Sequence, residues 1–193
     1  MAESSSVTDG SALSIAGAFR LGIANGRVQA HAATPAGEYP LRRIYFRNDR
    51  LVLPKANSSK NALPARPIAE HDGWCDDPSS PTYNRLVHVP NDWSAEKMWR
   101  EDPLYDLVVV VGYNDDPPEG EWGSAIFLHV AREDYAPTRG CVAFSLADLL
   151  ELVPLLGPTT RLRVLATPAS EQMSAAGEGA ATKALADFDE KDW

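Results

Sequence analysis

The 193-residue sequence is short of cysteine, of basic charge and of long apolar runs, and each shortage excludes something. Its two cysteines are Cys75 and Cys141. A disulfide between them would leave no free thiol, so thiol chemistry in this chain favours a reducing compartment. No apolar run approaches the ~20 residues of a membrane span. The longest, Leu107 to Gly112 with its successive valines, is strand-sized. Eighteen basic against 27 acidic side chains leave a net charge of −9, which disfavours nucleic acid and anionic membranes as partners. Met1 to Gly10 carries Glu3 and Asp9 with no basic residue, and Arg20 interrupts the mildly apolar stretch Ser11 to Ala24. Neither stretch has the form of a secretory signal, so the expected location is the cytoplasm, or the periplasm if a leader has been removed. Gly112 and Gly120-Glu121-Trp122-Gly123 lack the spacing of a phosphate loop. His71, Cys75, Asp76 and Asp77 do not reproduce a zinc-ligand spacing, so neither a metal nor a cofactor is expected.

What is present is a globular composition, 44% hydrophobic, with short runs rich in β-branched and aromatic residues separated by 15 prolines and 13 glycines. The runs Gly26 to Ala30, Tyr39 to Phe46, Arg50 to Leu53, Leu86 to Val89, Leu107 to Tyr113, Ile126 to Val130 and Arg161 to Leu165 predict strands. The fold class is therefore mainly β with a few helices. One helix is expected after Phe144, where Ser145 caps it, Asp148 follows at the third position and Leu149, Leu150, Leu152 and Val153 recur at helical spacing. A second is expected from Trp93 to Arg100. The long polar stretch Pro54 to Pro81 reads as a loop whose centre, His71 to Pro78, folds over something. Residues 1–12 read as a flexible arm, 13–167 as one domain and 168–193 as an acidic, alanine-rich tail.

The chemistry-bearing segment runs from His129 to Cys141, with a histidine ending a strand and a cysteine just before the capped helix. A thiol attacks carbonyls as its thiolate, and a neighbouring imidazole is the usual partner that takes the proton. Gly140 lets the backbone approach a substrate and turns N–H groups toward a developing oxyanion, with the Cys141 N–H as the second donor. Arg139 adds a fixed positive charge beside the thiol, suited to a substrate carboxylate. Free cysteines are also among the most buried residue types, so spacing alone leaves a structural Cys141 open.

Phe127-Leu128-His129, followed by Thr138-Arg139-Gly140-Cys141-Val142-Ala143, resembles the signature of the L,D-transpeptidase (YkuD-like) family, as does Ala33-Thr34-Pro35-Ala36-Gly37-Glu38-Tyr39-Pro40-Leu41 upstream. The family's usual histidine before Gly-Cys is Arg139 here, and Val130 stands where Gly or Ser is common. The resemblance implies a β-sandwich of mixed sheets with one helix after the cysteine. It implies Cys141 as nucleophile, His129 as general base and then acid, Gly140 as an oxyanion donor, and the Val130 backbone carbonyl as the group that orients the imidazole. Arg139, Arg132, Thr138, Tyr113, Asn114 and Trp74 are candidate substrate contacts, although packing or turn formation accounts equally for Tyr113 and Asn114.

The implied partners are peptidoglycan stem peptides or soluble muropeptides. The implied reaction cleaves the bond between the third stem residue, of diaminopimelate type, and D-alanine through a thioester. An amine acceptor then gives L,D-transpeptidation, and water gives L,D-carboxypeptidation, which suits a cytoplasmic enzyme of wall recycling. A cysteine hydrolase of another amide and a muropeptide-binding module without turnover are the competing expectations.

Overall fold

A computed structural model describes residues 12–13, 23–24, 34–54, 62–136 and 138–164. The expected N-terminal arm up to residue 11, the strand Gly26 to Ala30 and the tail from 168 lie outside the described residues, while Ala12, expected in the arm, begins β1. The elements in chain order are β1 Ala12–Leu13, β2 Ile23–Ala24, β3 Thr34–Pro35, β4 Gly37–Phe46, β5 Ala65–Pro67, β6 Asp72–Cys75, β7 Leu86–His88, β8 Ala95–Lys97, β9 Leu107–Val111, β10 Phe127–Val130, β11 Val142–Phe144, α1 Leu146–Leu152 and β12 Arg161–Val164. The protein is mainly β, with mixed sheets and a single short helix among the described residues.

A seven-stranded sheet in the order β1-β12-β4-β9-β10-β11, with β5 on the second half of β4, forms the frame. At its centre all five residues of β9 are buried, which explains why this strand is a continuous valine run rather than an alternating one. One face carries Leu41, Ile44, Val109, Val111, Leu128, Val130, Val142 and Phe144, covered by Leu149, Val153 and Leu156 from α1 and the turn after it. The other face carries Tyr45, Val108, Val110 and Phe127, packed against Trp74 and Met98. These last two come from β6 and the end of β8, so the antiparallel sheet β7-β6-β8 lies over this second face.

The helix after Phe144 forms as its cap predicts, with the Asp148 N–H donating to Ser145 Oγ at 3.1 Å. Pro154 converts its end into a single 3₁₀ turn, Val153–Leu155. The expected helix from Trp93 to Arg100 is a strand instead. Gly73, Trp74 and Cys75 pair with Lys97, Glu96 and Ala95, and this ladder outweighs a local helical preference too short to stand alone. Trp93 is 41% exposed, and Trp99 lies under the buried Arg47 guanidinium at 3.7 Å. Arg50 to Leu53 forms no strand: the Arg50 guanidinium reaches Asp106 and the carbonyls of Glu101 and Asp102, so the chain turns there. The stretch Pro54 to Pro81 contains β5 and β6, and its centre does fold over the main sheet.

Asn84 ties the two sheets together. Its carbonyl oxygen accepts from Trp74 Nε1 at 2.9 Å and from the Ala125 N–H at 3.1 Å, while its amide donates to the carbonyls of Tyr113 at 3.0 Å and Asn114 at 2.7 Å. Asn84 also holds a left-handed backbone, φ 54°, which asparagine tolerates better than most residues. Asn84→Ala should destabilise the protein by about 2–4 kcal/mol in urea unfolding, because several buried groups lose partners together. Val52→Ser, at an 88% exposed position, should stay within about 0.5 kcal/mol of wild type.

Candidate active site

Strands β10 and β11 run parallel, with Leu128, His129 and Val130 beside Val142, Ala143 and Phe144. Side chains alternate between faces, so Phe127 and His129 share the face under the small sheet, and Cys141 packs against the same cluster. Histidine and cysteine thus emerge on one side of neighbouring strands. His129 is only 2% exposed and has its Nδ1 2.8 Å from the Val130 carbonyl oxygen. A carbonyl can only accept, so Nδ1 carries the proton of the neutral ring and Nε2 presents a lone pair. The ring also meets Tyr105 edge to face, centroids 5.7 Å apart.

Cys141 holds its thiol by backbone contacts. The S–H donates to the Ala125 carbonyl at 3.2 Å, and Sγ accepts from the Phe127 N–H at 3.4 Å. These contacts, not the imidazole, position the resting sulfur. Ala125 has a left-handed backbone, φ 56°, and its own N–H is anchored on Asn84. The Thr138 hydroxyl donates to the Cys141 carbonyl at 2.6 Å, with Thr34 of β3 at 3.5 Å from the same oxygen. The buried Gly140 sits at φ +99°, where a Cβ would be strained.

Burial dominates the electrostatics. Desolvation lowers the His129 pKa to about 4, with the charges of Arg100 and Arg132 adding to the fall and the Val130 hydrogen bond and Asp102 opposing it. Desolvation pushes the Cys141 thiol up to about 12, helped by the charge of Glu96 and resisted by the Phe127 N–H. The residue as a whole is half-buried. At neutral pH the two groups are a thiol and a neutral imidazole. This suits proton transfer concerted with attack rather than a standing thiolate.

The other residues expected at the site divide into two groups. Arg139 is exposed and Arg132 half-buried; the first acts electrostatically on Glu96 and the second on His129, so both flank the chemistry. Trp74 packs on Phe127 at 5.1 Å as part of the roof. Tyr113 and Asn114 serve the neighbouring loop. The Tyr113 hydroxyl donates to the Trp122 carbonyl at 2.6 Å, and the Asn114 amide donates to the carbonyls of Glu119 and Gly123. Cys75 is fully buried within the small sheet.

Several groups near the site were not singled out from the sequence. Thr34 lay within the Thr-Pro motif and could have been found there. Glu96 was hidden inside the misassigned helix. Tyr105, fully buried in the turn Pro103–Tyr105, carries no local signal, because only folding brings it to His129.

Residues 7–164 match the family model of the L,D-transpeptidase catalytic domain, YkuD. No curated protein and no solved structure matches the chain.

Native His129 titrates below its ordinary value of 6.5, so as pH falls the unfolded chain takes up a proton before the native one does. Stability is therefore lost between about pH 6.5 and pH 4, by about 3 kcal/mol at ~1.36 kcal/mol per pKa unit. The thiol behaves oppositely: stability present below pH 9 is lost as pH rises toward 12. Urea unfolding at a series of pH values checks both limbs, and His129→Gln should flatten the acid limb while leaving the alkaline one.

Proposed function

Because the chain belongs to the L,D-transpeptidase (YkuD) catalytic-domain family, we propose that it is a cysteine acyltransferase acting on peptidoglycan stem tetrapeptides, with L,D-transpeptidase activity. The observation that supports this best is that Cys141, immediately before β11, packs on the face of the sheet that carries His129 of the parallel neighbour β10, with Nδ1 engaged by the Val130 carbonyl. That leaves Nε2 as the one ring nitrogen able to accept the thiol proton.

In this reading the carbonyl of the third stem residue enters beside Cys141, and the thiol leaves its contact with Ala125. Sulfur attacks as Nε2 takes the proton, and the tetrahedral oxyanion faces the N–H groups of Gly140 and Cys141. The imidazolium then protonates the departing D-alanine amine, leaving a thioester on Cys141. A second stem amine, or water, attacks the thioester carbonyl and gives its proton to Nε2, and the returning sulfur recovers it. Burial makes the imidazolium costly, so the proton stays on the ring only while charge develops across the bond. Arg139 and Arg132 supply positive charge for substrate carboxylates. Thr138 and Thr34 hold the Cys141 carbonyl, and through it the backbone turn that presents the sulfur.

Incubation with a disaccharide tetrapeptide, followed by mass spectrometry, tests the proposal. A cross-linked dimer lacking one alanine is the expected product, and loss of alanine alone would mark water as the acceptor. Cys141→Ala should abolish turnover, and His129→Gln should reduce it by about 10²–10⁴-fold. If wild-type protein under reducing conditions leaves the tetrapeptide intact, the proposal fails.

A further inference from the structure

The second face of the main sheet holds a cavity of about 140 Å³ that neither Cys141 nor His129 lines. Apart from Asn84, its buried lining is apolar or aromatic. Val110 and Phe127, opposed in the β9–β10 ladder, lie there with Ile126 and the rings of Tyr45 and Trp74. Its exposed lining is cationic, made of Arg42, Arg43 and Arg85. Three guanidiniums around one small cavity are unusual on a chain of net charge −9.

The backbone brings the arginines there. The β4–β9 pairing passes from Leu41–Val111 to Arg43–Val110, so Arg42 is an extra residue and the bulge re-aims the strand. Leu41 and Ile44, three apart, both join the helix-covered core, whereas Arg43 shares the other face with its opposed neighbour Val110. A Cβ at Gly112 would lie 2.5 Å from Arg42 Nε, so the glycine leaves the room that the guanidinium occupies. Asp115 clasps that guanidinium through both oxygens, at 2.7 and 3.1 Å. Arg85 donates instead to the carbonyls of Asn84 and Asp115, which hold it without neutralising its charge.

The lining therefore carries three positive charges against one negative, that of Asp115. The buried polar groups are already engaged. Asn84 accepts twice and donates twice, and the single indole N–H of Trp74 makes one of those bonds. Water in the deep part finds few partners, whereas an apolar body fits, since a dry apolar cavity of ~150 Å³ accepts benzene. The charge at the mouth suits an oxyanion, whose oxygens match the guanidinium fork.

We propose that this cavity binds a small organic oxyanion, with an apolar body the size of a single ring seated against Trp74 and Phe127 and a carboxylate or phosphate held by Arg43 and Arg85. The site adjoins the nucleophile, because the Phe127 N–H is a donor to Cys141 Sγ. It does not depend on the acyl-transfer reading. The oxyanion belongs either to a molecule processed at Cys141 or to a separate ligand.

Calorimetric titration of the full chain with phenyl phosphate and benzoate, against benzamide and inorganic phosphate, tests the site. At least one aromatic anion should bind with a Kd below about 1 mM. The neutral amide and the bare ion should each bind at least about tenfold more weakly, since each lacks half of the recognised group. Tighter binding of phenyl phosphate assigns a phosphate, and tighter binding of benzoate a carboxylate. Arg43→Gln and Arg85→Gln should each weaken the aromatic anion about tenfold, and Arg163→Gln, at an exposed position of β12, should leave it unchanged. Arg43→Gln spares the clasp between Arg42 and Asp115, so its effect is not one of unfolding.

The proposal is overturned if neither aromatic anion binds by about 10 mM, or if Arg43→Gln and Arg85→Gln bind as wild type does. Benzamide binding as tightly as benzoate, or inorganic phosphate as tightly as phenyl phosphate, would overturn it equally. Turnover of the disaccharide tetrapeptide separates the two sources. If the bound anion and Arg43→Gln both raise KM, the oxyanion belongs to the molecule processed at Cys141; unchanged kinetics assigns a separate ligand. If wild type leaves the peptide intact, acyl transfer fails and the titration still decides for or against the cavity.

Discussion

The parallel pairing of β10 with β11 is the constraint on which the site depends. Parallel neighbours cannot be joined by a tight hairpin, and here the connection 131–141 makes the return with no helix among its described residues. That loop has to reverse the chain and deliver Cys141 at the start of β11, which explains a buried glycine at φ +99° and two threonine hydroxyls on the Cys141 carbonyl. The register then does the rest: His129 and Cys141 face the same way because backbone hydrogen bonds fix which residues are neighbours. A slip of one residue in β10 would turn His129 to the opposite face of the sheet.

The same burial that gives the site its definition sets its chemistry. The roof of Trp74, Glu96 and Tyr105 removes water from the imidazole and the thiol, so both rest neutral. A neutral pair is stable but slow to ionise, so the acyl transfer proposed for it needs the proton to move as the bond forms. The contact between the thiol and the Ala125 carbonyl belongs to this resting state. Asn84 links it to the rest of the molecule by holding the Ala125 N–H together with the Trp74 indole, so one buried amide sets the height of the roof and the position of the carbonyl.

Sequence pattern revealed the frame where local signals were strong. The valine run of β9, the β-branched and aromatic run of β4 and the Ser145 cap of α1 were each legible, because each rests on residue types within a short segment or on burial of a whole strand. The segment at 95–97 was misread because its strand exists only by pairing with β6, some twenty residues earlier. Tyr113 and Asn114 were candidates for substrate contact or for turn formation alike, and their hydrogen bonds hold the loop that follows.

By itself the sequence determined the family, through the Thr-Pro strand entry and the Thr-Arg-Gly-Cys segment, and with it the residues on which the chemistry is proposed to run. It could do so because those residues must sit close together in the chain to form one turn and one strand entry. Only the tertiary structure decided the environment in which they work: the carbonyl that holds the thiol, the buried tyrosine against the imidazole, and the carboxylate that accepts from that tyrosine. Those groups come from separate strands and loops, and desolvation and Coulomb interaction depend on distance in space, which no spacing along the chain records.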